Sequence, residues 1–125
     1  MPAGLRSETV RIGDAVVCVF AGDLVLDSEP VAARALTDAL DGRPALLAVD
    51  LSGVELFTST GLNLLLATRR RALAEGVPLV LVAPSPRTVR TLELTETDAL
   101  FTVRATVDEA LRQHRPPEAR RGRLR

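Results

Sequence analysis

The 125-residue sequence has no lysine, tryptophan or tyrosine, and only one cysteine, one histidine and three phenylalanines. Each shortage removes a class of chemistry. Without lysine a GxxxxGK[ST] phosphate loop is impossible, and no GxGxxG run occurs. With His114 as the sole imidazole, a Ser-His-Asp or Cys-His centre has no placed base. One cysteine and one histidine cannot fill a tetrahedral zinc site. The scarcity of aromatic rings removes the platforms on which single-stranded nucleic acid stacks. No apolar run approaches the roughly 20 residues needed to span a bilayer, and residues 1–6 lack the apolar stretch of a signal peptide. These shortages predict a soluble, cytoplasmic, non-enzymatic protein with no cofactor, no metal, no nucleic-acid partner and no membrane partner. The lone Cys18, inside the apolar run 15–21, is expected to pack as a small hydrophobe in a reducing compartment.

What is present suits one folded domain. The hydrophobic fraction of 46% supplies a continuous core for a chain of this length. The net charge is zero, from 16 acidic residues and 16 basic ones, all arginine, so no overall field draws the protein to polyanions.

Apolar, β-branched segments at 9–12 and 15–20 flank Gly13-Asp14, the chemistry of a two-residue hairpin turn. The segment Asp27-Ser28-Glu29-Pro30 precedes apolar residues at helical spacing, predicting a helix over 28–40 that stops at Asp41-Gly42. Residues 44–51 are almost wholly apolar, as in a strand buried on both faces. A turn is expected over 52–57, then a helix over 59–76. A strand at 77–82, a helix at 87–94, a strand at 100–104 and a helix from Thr106 to about His114 complete the order. This alternation predicts an α/β fold: a mixed, mostly parallel sheet of about five strands, with an antiparallel hairpin at one edge and about four helices. Residues 1–114 form the expected domain. Residues 115–125, with five arginines against one glutamate, read as a disordered Arg-rich tail.

Among polar features, two have simple structural explanations. Arg69-Arg70-Arg71 span about 200° of a helix and so form a solvated face, with one stem packed on the core. Asp50 and Glu55 do not make a convincing acid/base pair, since a strand-end aspartate usually accepts from loop amides.

The remaining feature is the junction Phe57-Thr58-Ser59-Thr60-Gly61-Leu62. Its hydroxyls are expected to accept from the first-turn amides of the following helix, and a phosphate on Ser59 would meet the same amides and the positive end of the helix dipole. From three hydroxyls alone, an ordinary N-cap is the preferred reading, because Ser and Thr are common there.

The flanks narrow the reading. Asp50-Leu51-Ser52-Gly53-Val54, followed by Phe57-Thr58-Ser59-Thr60-Gly61-Leu62, resembles the D-L-S-x-V…F-[MLI]-D-S-[ST]-G-L signature of STAS domains in bacterial anti-sigma factor antagonists. Gly22-Asp23-Leu24 resembles the family's G-E-L-D, and Ala83-Pro84-Ser85-Pro86-Arg87-Thr88-Val89-Arg90-Thr91-Leu92 its S-P-x-V-x-x-x-L segment. The resemblance implies the STAS fold and a regulatory role in sigma-factor-dependent transcription. It implies Ser59 as the phosphorylation site, an anti-sigma factor serine kinase of ATPase fold as partner, and a PP2C-type phosphatase that resets the switch. The implied partner-binding face comprises Gly22, Asp23, Leu24, Val25 and Asp27 with Phe57, Thr58, Thr60, Gly61 and Leu62. Thr58 and Val25 occupy positions where the family carries acidic residues. A STAS module that scaffolds a complex, or senses a ligand without phosphorylation, is the alternative they leave open.

Overall fold

Glycine at the tight turn sets the first element. Gly13, at φ 62°, closes a two-residue connection between β1 (Leu5–Ile12) and β2 (Ala15–Leu24), which pair antiparallel from Ile12↔Ala15 to Leu5↔Gly22. In the computed structural model, which describes residues 4–112, the chain continues as α1 (Glu29–Asp41), β3 (Leu46–Phe57), α2 (Ser59–Glu75), β4 (Leu79–Val82), α3 (Pro86–Leu94), β5 (Thr102–Arg104) and α4 (Val107–Arg112). The five strands lie in the order β1-β2-β3-β4-β5, and every pair after the hairpin is parallel. The mixed sheet expected from the alternation of elements is therefore present. The expected tail and His114 lie outside the described residues.

Right-handed crossovers that always step in one direction place their helices on one face. Side chains of α1, α2 and α3 share one apolar cluster with Val16, Cys18 and Phe20 of β2 and Leu47, Val49 and Leu51 of β3. The alternate residues Ala15, Val17, Leu46 and Ala48 face the other side, where α4 covers them through Val107, Ala110 and Leu111. The central strands are thus buried on both faces, as their unbroken apolar runs require. Arg71 joins the C-terminal end of α1 to α2, reaching Asp41 at 2.6 Å and Glu75 at 2.7 Å.

One expectation is overturned. Residues 52–57 do not turn; they extend β3 to Phe57. Between Val19↔Asp50 and Ala21↔Gly53, and again between Gly22↔Val54 and Asp23↔Leu56, β3 uses one more residue than β2. These are β-bulges, and each resets which residues face inward. The buried positions become Leu51, Val54 and Phe57, spaced by three, which matches neither a regular strand nor a helix. Ser52-Gly53 resembled a turn for that reason. Gly53 is needed by close approach, since a Cβ there would lie 2.9 Å from Ala21 Cβ.

Cys18 is fully buried beneath α1. Desolvation raises its thiol pKa from 9.0 to about 11, partly offset by a hydrogen bond from Thr9. The fold favours the neutral thiol, so its stabilisation is complete below about pH 9 and is lost as pH rises toward 11. With no lysine or tyrosine, no other side chain titrates in that window. Urea unfolding is expected to show a stability loss of about 2 kcal/mol between pH 8.5 and 11. In Cys18→Ala that loss should disappear; an unchanged alkaline decline would assign it elsewhere.

Candidate functional site

The paired ends of β2 and β3 build the junction. Leu24 and Phe57 are register partners, 1% and 7% exposed, at the end of the ladder. Past that point the Leu24 carbonyl has no further strand residue to pair with, and Thr58 takes it. The Thr58 amide lies 3.4 Å and its hydroxyl 3.5 Å from that oxygen. Thr58 is extended (φ −107°, ψ −176°), and no side-chain hydrogen bond caps α2. The expected hydroxyl cap is absent because the Thr58 hydroxyl turns back to the strand. The Thr58 carbonyl starts the helix, accepting from the Leu62 amide at 3.1 Å.

Gly61 sets how closely the helix approaches. A Cβ there would overlap Leu24 Cδ2 and lie 2.8 Å from Phe57 Cε1. Leu24, Phe57, Gly61 and Leu62 are all buried. They support the junction from beneath. At the surface stand Asp27, Thr58 and Ser59, exposed, with Gly22, Asp23, Val25 and Thr60 half-buried.

The β2–α1 connection is held by Ser28, which the sequence reading placed only in the capping segment before α1. Ser28, 8% exposed, accepts from the Val25 amide at 3.0 Å and donates to the Asp23 carbonyl at 2.6 Å. These bonds fold 23–28 into a tight turn that presents Asp27 and the 75%-exposed Leu26. Gly22 enters this turn at φ 112° with its α-carbon against the Gly4 carbonyl, leaving no room for a side chain.

A second group, outside the expected face, comes from the β4–α3 loop, which bends at Ala83 (φ 48°). It carries Ser85 and Arg87 to a groove of about 490 Å³ shared with Asp23, Glu55 and Leu56. The Thr91 hydroxyl, 3.5 Å from the Phe57 carbonyl, ties α3 to the same strand end. The sequence signals were the Ser85-Pro86 helix start and the family-like segment around it, neither of which said where α3 docks. Asp50 does act as an acceptor, from the Ser52 amide at 2.9 Å and the Ser52 hydroxyl at 2.7 Å, but inside β3 and not at a strand end beside a loop. The arginine triplet splits its roles: Arg71 is ion-paired, Arg69 donates to the Leu100 carbonyl at 2.8 Å, and Arg70 is exposed.

Chemically, the junction offers an exposed hydroxyl beside helix amides that no side chain caps, at the positive end of a 17-residue helix. That geometry suits an anion. Among the described residues no group of three or more His, Cys, Asp or Glu side chains is placed to hold a metal ion. No helix among them is long and apolar enough to cross a membrane.

The STAS domain family model matches residues 6–110. The chain belongs to the STAS domain family. It is similar to the anti-sigma-F factor antagonist RsfB of Mycobacterium tuberculosis, with 30% identity over 108 residues, covering 84% of this chain and 88% of that protein. The crystal structure of an anti-sigma factor antagonist from Mycobacterium paratuberculosis superposes with a TM-score of 0.81 at 28% identity, over 90% of this chain and 95% of that one. Bacillus SpoIIAA in its phosphorylated form shares the fold at a TM-score of 0.70 and 19% identity, over 88% of this chain and 100% of that one.

Two substitutions test this STAS junction. Gly61→Ala is expected to destabilise the protein by about 1 to 2 kcal/mol, the overlap outweighing the roughly 1 kcal/mol alanine gains in helix propensity. Ser28→Ala, which strands a half-buried amide and carbonyl, should cost about 1 to 3 kcal/mol. Thermal unfolding of both variants measures these effects, and wild-type stability in either would show that the contact is not holding the junction.

Proposed function

We propose that the protein is a non-enzymatic, cytoplasmic anti-sigma factor antagonist that docks a serine-kinase anti-sigma factor and is switched off by phosphorylation of Ser59. The observation that carries this reading is the exposed Ser59 side chain at an α2 N-terminus that no side chain caps. A phosphate there finds backbone donors and the helix dipole without displacing any cap, so the domain accommodates it folded. The similar RsfB is named an anti-sigma-F factor antagonist, and SpoIIAA has been solved in unphosphorylated and phosphorylated forms.

The docking face is Asp27, Thr58 and Ser59 with Asp23, Val25 and Thr60, extended by Glu55 and Arg87 across the groove. Adding about −1.5 to −2 charge to a face already bearing Asp23, Asp27 and Glu55 opposes docking by repulsion and desolvation. A PP2C-type phosphatase resets the switch.

Incubation with an anti-sigma kinase of the host and ATP, followed by mass spectrometry, is expected to place phosphate on Ser59. Ser59→Ala should bind the kinase but accept no label, while Ser59→Asp should weaken binding by about 100-fold. Phosphate found only elsewhere, with Ser59→Asp binding normally, overturns the switch. A second reading, a STAS scaffold without phosphorylation, is favoured by the neutral Thr58 and Val25. A stable partner complex insensitive to ATP supports it.

A further inference from the structure

The two edges of the sheet are finished differently. One edge is β5, only three residues long, and short edge strands resist further pairing. The other is β1, eight residues without proline, paired to β2 in unbroken register with no bulge. Among the described residues no strand pairs with its outer side. From Arg6 to Ile12 it is exposed at every position. Of the usual edge protections, β1 has only its charges, Arg6, Glu8 and Arg11.

The placement of those charges matters. Arg6 and Glu8 pair with Ala21 and Val19, so they sit two residues apart on one face of the strand, the face that Val17 shares with α4. Neither forms an ion pair with another described residue. When a strand pairs antiparallel with its own copy about a two-fold axis, directly opposed residues share a face. The pairing is then centred on one residue. Centring on Arg6 or Glu8 sets like charges against each other, and centring on Thr9 sets Arg6 against Ile12 and Glu8 against Val10. Centring on Ser7 sets Arg6 against the partner's Glu8 and Glu8 against the partner's Arg6. It also places Leu5 against the partner's Thr9 on the opposite face. Opposite charges two residues apart therefore make this edge self-complementary in one register.

We propose that the outer edge of β1 is a self-association surface whose occupant is a second copy of the chain, joined antiparallel about Ser7 into one continuous sheet with two Arg6–Glu8 pairs. A single strand edge is a small interface, so the dimer is weak and forms at high concentration. The proposal does not depend on the identity of any anti-sigma partner, because its readouts need only this chain.

Sedimentation of the native protein up to about 1 mM is expected to show a reversible monomer–dimer equilibrium. Arg6→Glu and Glu8→Arg, both at exposed positions, should each weaken the dimer by about tenfold, and the double reversal should restore it. In the Ser7 register the opposed Cα atoms lie about 4.5 to 5.5 Å apart, within reach of a disulfide. Ser7→Cys should therefore form a covalent dimer on oxidation, and Thr9→Cys, made in a Cys18→Ala background because Thr9 pairs with Cys18 within the chain, should not. A chain that stays monomeric with no Ser7→Cys crosslink overturns the proposal. So does a double reversal that fails to restore association, or crosslinking of Thr9→Cys in preference to Ser7→Cys.

Discussion

The contact of Gly61 with Leu24 and Phe57 is the constraint on which the rest of the molecule's working end depends. Two strands finish side by side, their last side chains turn into the core, and a helix must start directly on top of them. Only a residue without a Cβ lets the first turn of α2 come that close. Once it does, Thr58 is drawn to the end of β2 and Ser59 is left facing solvent at the helix start. The apolar packing below and the exposed hydroxyl above are two sides of one arrangement.

That arrangement explains a division of labour within the junction and its flank. Leu24, Phe57, Gly61 and Leu62 carry the geometry, while Asp27, Thr58 and Ser59 carry the surface chemistry. Ser28 does the same for the neighbouring turn, using one hydroxyl to bind both an amide and a carbonyl that the chain reversal would otherwise leave unpaired. The surface is therefore built on rigid supports. Under the proposed switch, a charge added at Ser59 would act on a docked partner more than on the fold beneath.

Much of this was legible in the residues. Gly13-Asp14 marked the hairpin, the apolar runs marked the parallel core strands, and Gly76 marked the end of α2, where it adopts φ 71°. The hydroxyl run Thr58-Ser59-Thr60 marked the start of α2. What escaped was long-range. The extension of β3 through residues 52–57 depends on bulges opposite β2, and a three-residue apolar spacing has no local meaning. The direction of the Thr58 hydroxyl depends on a carbonyl 34 residues away. The groove that gathers Arg87 with Asp23 and Glu55 exists only because α3 docks against the bulged end of β3. Leu5 to Glu8 gave no strand signal, since an edge strand exposed on both faces has no alternation to display.

The bulged strand also sets how this end of the molecule tolerates change. Between Asp50 and Leu56 the chain keeps its inward side chains in place by counting, spending an extra residue at each irregularity. A gain or loss of one residue there that slips the segment beyond it by one position would turn its side chains to the opposite face. Phe57 would swing outward and Ser59 would rotate with the helix that follows. The length of this segment is therefore more tightly constrained than the identity of its exposed residues, Ser52, Glu55 and Leu56.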